Sequence, residues 1–190
     1  MAKKAIKKFK TAFTELLGKY SYDDLTIVNV SDAAKVTRQS FYYHYESMED
    51  FVFDVLRDEL DEAVNKERRK SGTLTATFVR IISACRASKT ETSNLYNSSL
   101  KEELVDFFNN YIEDLIREQI GTLLQASPRT MSEEALQFVT AQYRNMFRSI
   151  LEDYISTGMK EKPTDIGKGI DRFVGRSLDQ VLTDFSDEAK

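Results

Sequence analysis

Residues 26–51 read TIVNVSDAAKVTRQSFYYHYESMEDF, and the order of polar and apolar residues in this stretch decides the fold. Thr26 offers a hydroxyl N-cap, after which Ile27, Val30, Ala33 and Ala34 give a helix of about two turns with a narrow face of small apolar residues. Thr37 offers a second cap, and the spacing predicts a helix of about eight residues through Arg38 to Tyr45, with Phe41 and Tyr45 on one side. Ala34-Lys35-Val36 joins the two. Ser47 followed by Asp50 resembles a capping box and opens a further helix with Phe51, Val52, Val55, Leu56 and Leu60 inward. Two short helices across a tight turn make a helix-turn-helix whose second helix is free to enter a major groove. With Val36, Phe41 and Tyr45 facing the core, the other face holds Arg38, Gln39, Tyr42, Tyr43 and His44. Phenols and an imidazole there can donate to phosphate oxygens, while the Arg38 fork and the Gln39 amide suit guanine and adenine edges.

Working outward, Ile6, Phe9, Phe13, Leu16, Leu17 and Tyr20 recur at three- and four-residue steps, which predicts an amphipathic first helix ending near SYDD at 21–24. Downstream, the polar segment EAVNKERRKSGT, 62–73, reads as a helix tail and connector. Leu74, Phe78, Ile81, Ile82 and Cys85 predict the next helix, and SKTETSN, 88–94, reads as a polar break after it. Apolar positions from Leu100 to Leu124 trace one long helix, stopped by Pro128. Thr130 with Glu133 then predicts the cap of a helix running through Phe138, Tyr143 and Phe147 to Gly158, and a last helix runs from Pro163-Thr164 to Phe185. With 7 Gly and 2 Pro in 190 residues there is little turn chemistry for tight hairpins, so the expected class is all-α, about nine helices. The expected division is 1–46 as the helix-turn-helix domain, 47–73 as a connecting helix, and 74–190 as the larger C-terminal domain.

Hydrophobic content of 41% is too high for a disordered chain even with 31% charged residues. The net charge of −4 hides an asymmetry, because residues 1–45 carry eight Lys/Arg against four acids while the remainder sums to −8. A basic head on an acidic body points to a polyanion as the head's partner. One His and one Cys exclude His/Cys zinc clusters, and the glycines at 158, 167, 169 and 175 form neither a phosphate loop nor a dinucleotide fingerprint. No catalytic residues, metal or cofactor are therefore expected. Cys85, inside an apolar string, reads as a small buried hydrophobe. No run of about 18 apolar residues exists and MAKKAIKKFK lacks an apolar signal core, so the expected location is cytoplasmic, with no membrane partner. A helical protein-interaction adaptor with a non-functional helix-turn-helix is the competing class, and it predicts no salt-dependent affinity for DNA.

Thr26, Ile27, Val30, Ala34, Val36, Thr37, Phe41, Tyr42, His44, Tyr45, Ser47, Glu49, Asp50 and Phe51 follow, without insertion, the pattern T-V-x-x-I-A-x-x-A-G-V-S-x-G-x-L-Y-x-H-F-x-S-K-E-D-L. The stretch thereby resembles the tetracycline-repressor (TetR) family, over a region that includes the first helix. Departures are Lys35 at the turn glycine, Ser21 at the glycine closing the first helix, Ser31 at the second alanine, Gln39 at a small residue and Met48 at the lysine. The resemblance implies that Thr26, Tyr42 and His44 touch phosphates; Lys35, itself a departure from the pattern, is expected to substitute for the charge lost at Met48. Thr37, Arg38, Gln39, Ser40 and Tyr43 would face bases. It further implies a repressor on a palindromic double-stranded operator, a homodimer paired through the last two helices, and release by an unknown small-molecule effector. The effector would be enclosed by the middle helices, among Phe78, Tyr96, Phe107, Phe108, Tyr111, Tyr143 and Phe147. Arg80, Arg86 and Arg144 are candidates to neutralise an anionic ligand.

Overall fold

The computed structural model describes residues 2–65, 73–174, 178–185 and 187–188. Among these the chain forms ten α-helices, so the all-α class expected from sequence stands: α1 (Ala2–Leu17), α2 (Ile27–Ala34), α3 (Arg38–Tyr42), α4 (Met48–Asn65), α5 (Leu74–Ala87), α6 (Lys89–Tyr96), α7 (Lys101–Gln125), α8 (Glu133–Ser156), α9 (Pro163–Val174) and α10 (Leu178–Phe185). Two-residue strands β1 (Arg129–Thr130) and β2 (Asp187–Glu188) pair antiparallel. The chain divides into two compact units, one of Met1–Glu62 with Ala84–Leu104 and one of Ala63–Ser83 with Val105–Lys190.

In the first unit, Phe9, Phe13 and Leu17 of α1 turn inward at helical spacing. Phe41 has no exposed surface and meets Phe9, Tyr45 and Phe51 with ring centroids 5.4, 5.4 and 5.2 Å away. Tyr20, placed by sequence in the apolar stripe of α1, lies past the end of that helix and is exposed, while Tyr22 in the following 3-10 turn is buried instead. The helix before residues 88–94 does end, at Ala87, but the segment after Ser88 forms a helix of its own, α6, rather than a turn. Thr92 sends its amide to the Ser88 carbonyl at 2.8 Å and its hydroxyl to the Cys85 carbonyl at 3.1 Å, so polar residues carry the backbone through a full helix. The Asn94 amide also donates to the carbonyls of Leu17 and Tyr20, at 2.7 and 3.1 Å, and so satisfies acceptors orphaned at the end of α1. The Ser99 amide and hydroxyl donate to the Asp23 carboxylate at 3.0 and 2.7 Å and hold it below the ordinary carboxylate range.

In the second unit, Phe78 of α5 stacks on Phe147 of α8 at 4.5 Å, and Ile112, Ile116 and Ile120 bury one face of α7. α9 lies close against α5, since a Cβ added at Gly167 would stand 2.6 Å from Val79 Cγ2. The N-cap of α8 is Ser132, whose hydroxyl accepts from the Ala135 amide at 3.2 Å; Thr130, expected in that role, is instead paired in β1. The two candidates differ by two positions, and the strand pairing takes Thr130 out of reach. α8 closes as predicted at Gly158, with φ 80, where the Met159 amide returns to the Tyr154 carbonyl at 2.8 Å. The last helix of the sequence reading is described as α9 and α10, with 175–177 outside the described residues; 66–72 of the expected connector lie outside them too. Arg129 fastens α10 by donating to the Asp179 carbonyl at 3.0 Å and the Thr183 hydroxyl at 2.8 Å, besides pairing with the Asp179 carboxylate.

Candidate nucleic-acid interface

α2 starts from a closed capping box. Thr26 Oγ1 accepts from the Asn29 amide at 3.2 Å, and Asn29 Oδ1 accepts from the Thr26 amide at 3.0 Å. The Thr26 cap was legible in the sequence, whereas the reciprocal Asn29 was not. α2 ends where Lys35 takes φ 53 and ψ 46, the left-handed conformation that favours glycine. A lysine holds it at a cost of about 1 kcal/mol, because the Lys35 and Val36 amides reach the Asp32 and Ser31 carbonyls, both at 3.1 Å. Ser31 is turned inward, and its hydroxyl has no hydrogen-bond partner among the described residues.

Thr37 caps α3 as expected, accepting from the Ser40 amide at 3.3 Å. The helix itself is shorter than the sequence predicts, five residues rather than about eight. After Tyr42 the backbone tightens, with the His44 amide on the Phe41 carbonyl at 2.9 Å, and the chain then turns to let Ser47 cap α4. The Ser47 hydroxyl accepts from the Asp50 amide at 3.0 Å, while the Asp50 carboxylate accepts from the Glu46 amide at 3.2 Å. The Tyr45 amide still reaches the Phe41 carbonyl at 3.0 Å, and the Tyr45 ring lies against Phe41 and Phe51.

The outward face holds what the sequence assigned to it. Tyr43 is 82% exposed and Tyr42 59%, and Thr37, Arg38, Gln39, Lys35 and Thr26 are exposed, with Ser40 and His44 half-buried. The Tyr43 ring meets His44 edge-on at 5.0 Å. These residues come from the start of α2, the turn, and α3 with its exit, so one continuous stretch presents hydroxyls, an imidazole, an amide and two cations to solvent.

Behind this surface lies a polar network with no counterpart in the sequence reading. The Tyr45 hydroxyl donates to Asp54 at 2.7 Å, and the Lys10 ammonium pairs with Asp54 at 2.7 Å and Asp58 at 2.5 Å. Burial alone would raise the Asp54 carboxyl, but the Lys10 and Tyr45 hydrogen bonds leave it below its ordinary value. Burial would lower Lys10, yet its two carboxylate partners leave it raised. The Tyr45 phenol is pushed well above its usual range by burial and then by Asp54. The network ties α1, the exit of α3 and α4 together at one point. Its sole sequence signal is a tyrosine where the pattern has phenylalanine.

The seven aromatics assigned to an effector site are all buried. In the second unit, Phe78, Phe147 and Tyr143 form one cluster, and Phe107 with Phe108 and Tyr111 forms another along α7. Tyr96, in the first unit, carries the Lys101 ammonium 4.6 Å above its ring. Arg144 is paired with Glu113 at 2.6 Å. Cys85 is buried, and burial pushes its thiol up to about 12, which keeps it in the unreactive protonated form. Among the described residues no group of His, Cys, Asp and Glu could hold a metal ion, and no helix is long and apolar enough to cross a membrane.

Two regions of the chain match known families. Residues 72–175 match "Transcriptional regulator C-terminal region" and residues 11–55 match "Bacterial regulatory proteins, tetR family". Among solved structures, the dihydroxyacetone kinase operon activator DhaS is similar over 96% of this chain and 98% of its own, at 15% identity and a TM-score of 0.70. The fatty acid degradation regulator FadR from Bacillus halodurans covers 93% of each chain, at 14% identity and a TM-score of 0.49. No curated protein matches the sequence.

Proposed function

The chain belongs to the TetR family of transcriptional regulators, and on that premise we propose that it represses transcription by binding a palindromic operator as a two-fold homodimer, until a small-molecule effector releases it. Each subunit reads bases with Thr37, Arg38, Gln39, Ser40 and Tyr43, and grips phosphates with Thr26, Lys35, Tyr42 and His44. The observation that carries this reading is the exposure of Tyr43 and Tyr42, 82% and 59%, on a short helix whose neighbouring Phe41 is wholly buried. Two large phenols held in water by a rigid anchor suit a partner that supplies both a groove and acceptor oxygens. The homodimer is supported by the second unit. There α8 and α9 border a groove of about 720 Å³ in which Ile150, Ile166 and Phe173 stand beside the acids Asp153, Glu161 and Asp165, and Phe173 is 85% exposed. A second copy laying the same face across it would bury that apolar surface. The effector acts only through its differential affinity for the DNA-competent and DNA-incompetent conformations. Such a regulator works in the cytoplasm, where its operator is.

Anisotropy titration of labelled duplexes with the full chain tests the assignment of roles. Arg38→Ala or Gln39→Ala should flatten the preference among base sequences by roughly 1–3 kcal/mol, whereas Tyr42→Phe should weaken all sequences alike. A uniform loss from both kinds of change would sink the split between base-reading and phosphate-gripping residues.

A further inference from the structure

We propose that the lysine-lined groove between α1 and α2 is a second DNA site, which binds backbone phosphates flanking the bases that α3 reads; it rests on the DNA-binding reading above. Lys3, Lys4, Lys7 and Lys8 are all exposed, and the first acid in the chain is Glu15. Lys10, one turn on, is fully engaged with Asp54 and Asp58, but the four earlier lysines have no ion pair among the described residues. Like charges at three- and four-residue spacing repel one another on a helix, so this face is held together at a cost that a polyanion relieves.

Geometry narrows the occupant. Lys4, Lys7, Lys8 and Thr11 of α1 face Ala33 and Ala34 of α2 across a groove of about 390 Å³, with Glu15 closing its lining. The small alanine wall leaves space for a phosphate group, and Thr11 adds a neutral donor to three cationic ones. Lys4 and Lys8 stand about 6 Å apart along the helix axis. With each strand rising 3.4 Å per nucleotide, that span reaches successive phosphates of one strand. Arg38 is four chain steps from Ala34, so the groove wall lies within about 14 Å of the base-reading helix. The phosphates it reaches therefore fall within about four base pairs of the read bases. A linear run of lysines fits a strand of phosphates better than a single free anion, and the basic charge of the head is concentrated here.

The test uses the full chain carrying Lys4→Gln, Lys7→Gln and Lys8→Gln together, with unchanged far-ultraviolet circular dichroism as the check on folding. A matched control, Lys89→Gln with Lys160→Gln and Lys162→Gln, removes the same charge elsewhere. For the groove variant, the slope of log affinity against log salt should become shallower by about 0.9 for each phosphate that is no longer neutralised. The ratio of operator to shuffled-duplex affinity should stay the same. Trimming about four base pairs from each operator end should weaken the wild type and leave the groove variant unaffected. An unchanged slope, an equal change in the matched control, or a weakening confined to the operator would overturn the flanking site alone. A wild-type chain that binds no duplex would overturn the DNA-binding reading and this site with it.

Discussion

Tyr45 stands where the helix-turn-helix pattern has phenylalanine, and its hydroxyl turns a packing position into a junction. The ring fills the space between Phe41 and Phe51, and the hydroxyl donates to an Asp54 that Lys10 also grips. Tyr45→Phe keeps the ring and deletes a hydrogen bond to a charged acceptor, which should destabilise the chain by about 1–2 kcal/mol, with Lys10 still neutralising Asp54. Urea denaturation at neutral pH measures this as a lower midpoint with an unchanged slope. Because Asp54 is lowered from its ordinary 3.8, its contribution is present above that value and is lost as pH falls through the folded-state value. Lys10 is raised from its ordinary 10.5, so its contribution is present below that value and is lost only as pH climbs through the raised one. The penalty of Tyr45→Phe should therefore stay constant across neutral pH. The caps Thr26, Thr37 and Ser47 were legible in the sequence because each acts within three residues of itself. Lys10 was not, because its partners lie 44 and 48 positions away and nothing local marks them.

At the scale of elements, period and caps locate helices well and misjudge where tertiary packing sets their ends. α7 runs from Lys101 to Gln125 with the apolar stripe that the sequence displays. α3 stops at Tyr42, where the His44 amide tightens onto the Phe41 carbonyl, and α6 forms from a polar string because Cys85, Leu17 and Tyr20 offer carbonyls to Thr92 and Asn94. Those acceptors belong to other parts of the chain, so turn-forming composition alone pointed to a break. The packing of α9 on α5 is equally invisible in sequence and depends on one missing methyl. Gly167→Ala would drive a Cβ to within 2.6 Å of Val79 Cγ2, on a β-branched side chain with little rotamer freedom. The variant should lose about 1–3 kcal/mol despite the better helix propensity of alanine, as read by thermal unfolding. A stabilised Gly167→Ala protein would contradict the packing of α9 on α5.

For the whole molecule, the groove between α8 and α9 and the exposed surface of α3 belong to different compact units, and two-fold symmetry is the proposed link between their roles. Phe173→Asp should halve the mass measured by light scattering and weaken operator binding, because a single head cannot hold the second half-site. An unchanged mass would remove the α8–α9 face as the dimer interface. The partner that covers it is a property of the assembly, and so no single chain's pattern can specify it. Whether the stretch from Thr26 to His44 reads duplex DNA is answered by in vitro selection of duplexes bound by the full chain. Selection should enrich an inverted repeat whose half-sites lie about one helical turn, some 34–36 Å, or slightly more apart. Recovery of unenriched sequence, or of no duplex at all, would contradict that reading.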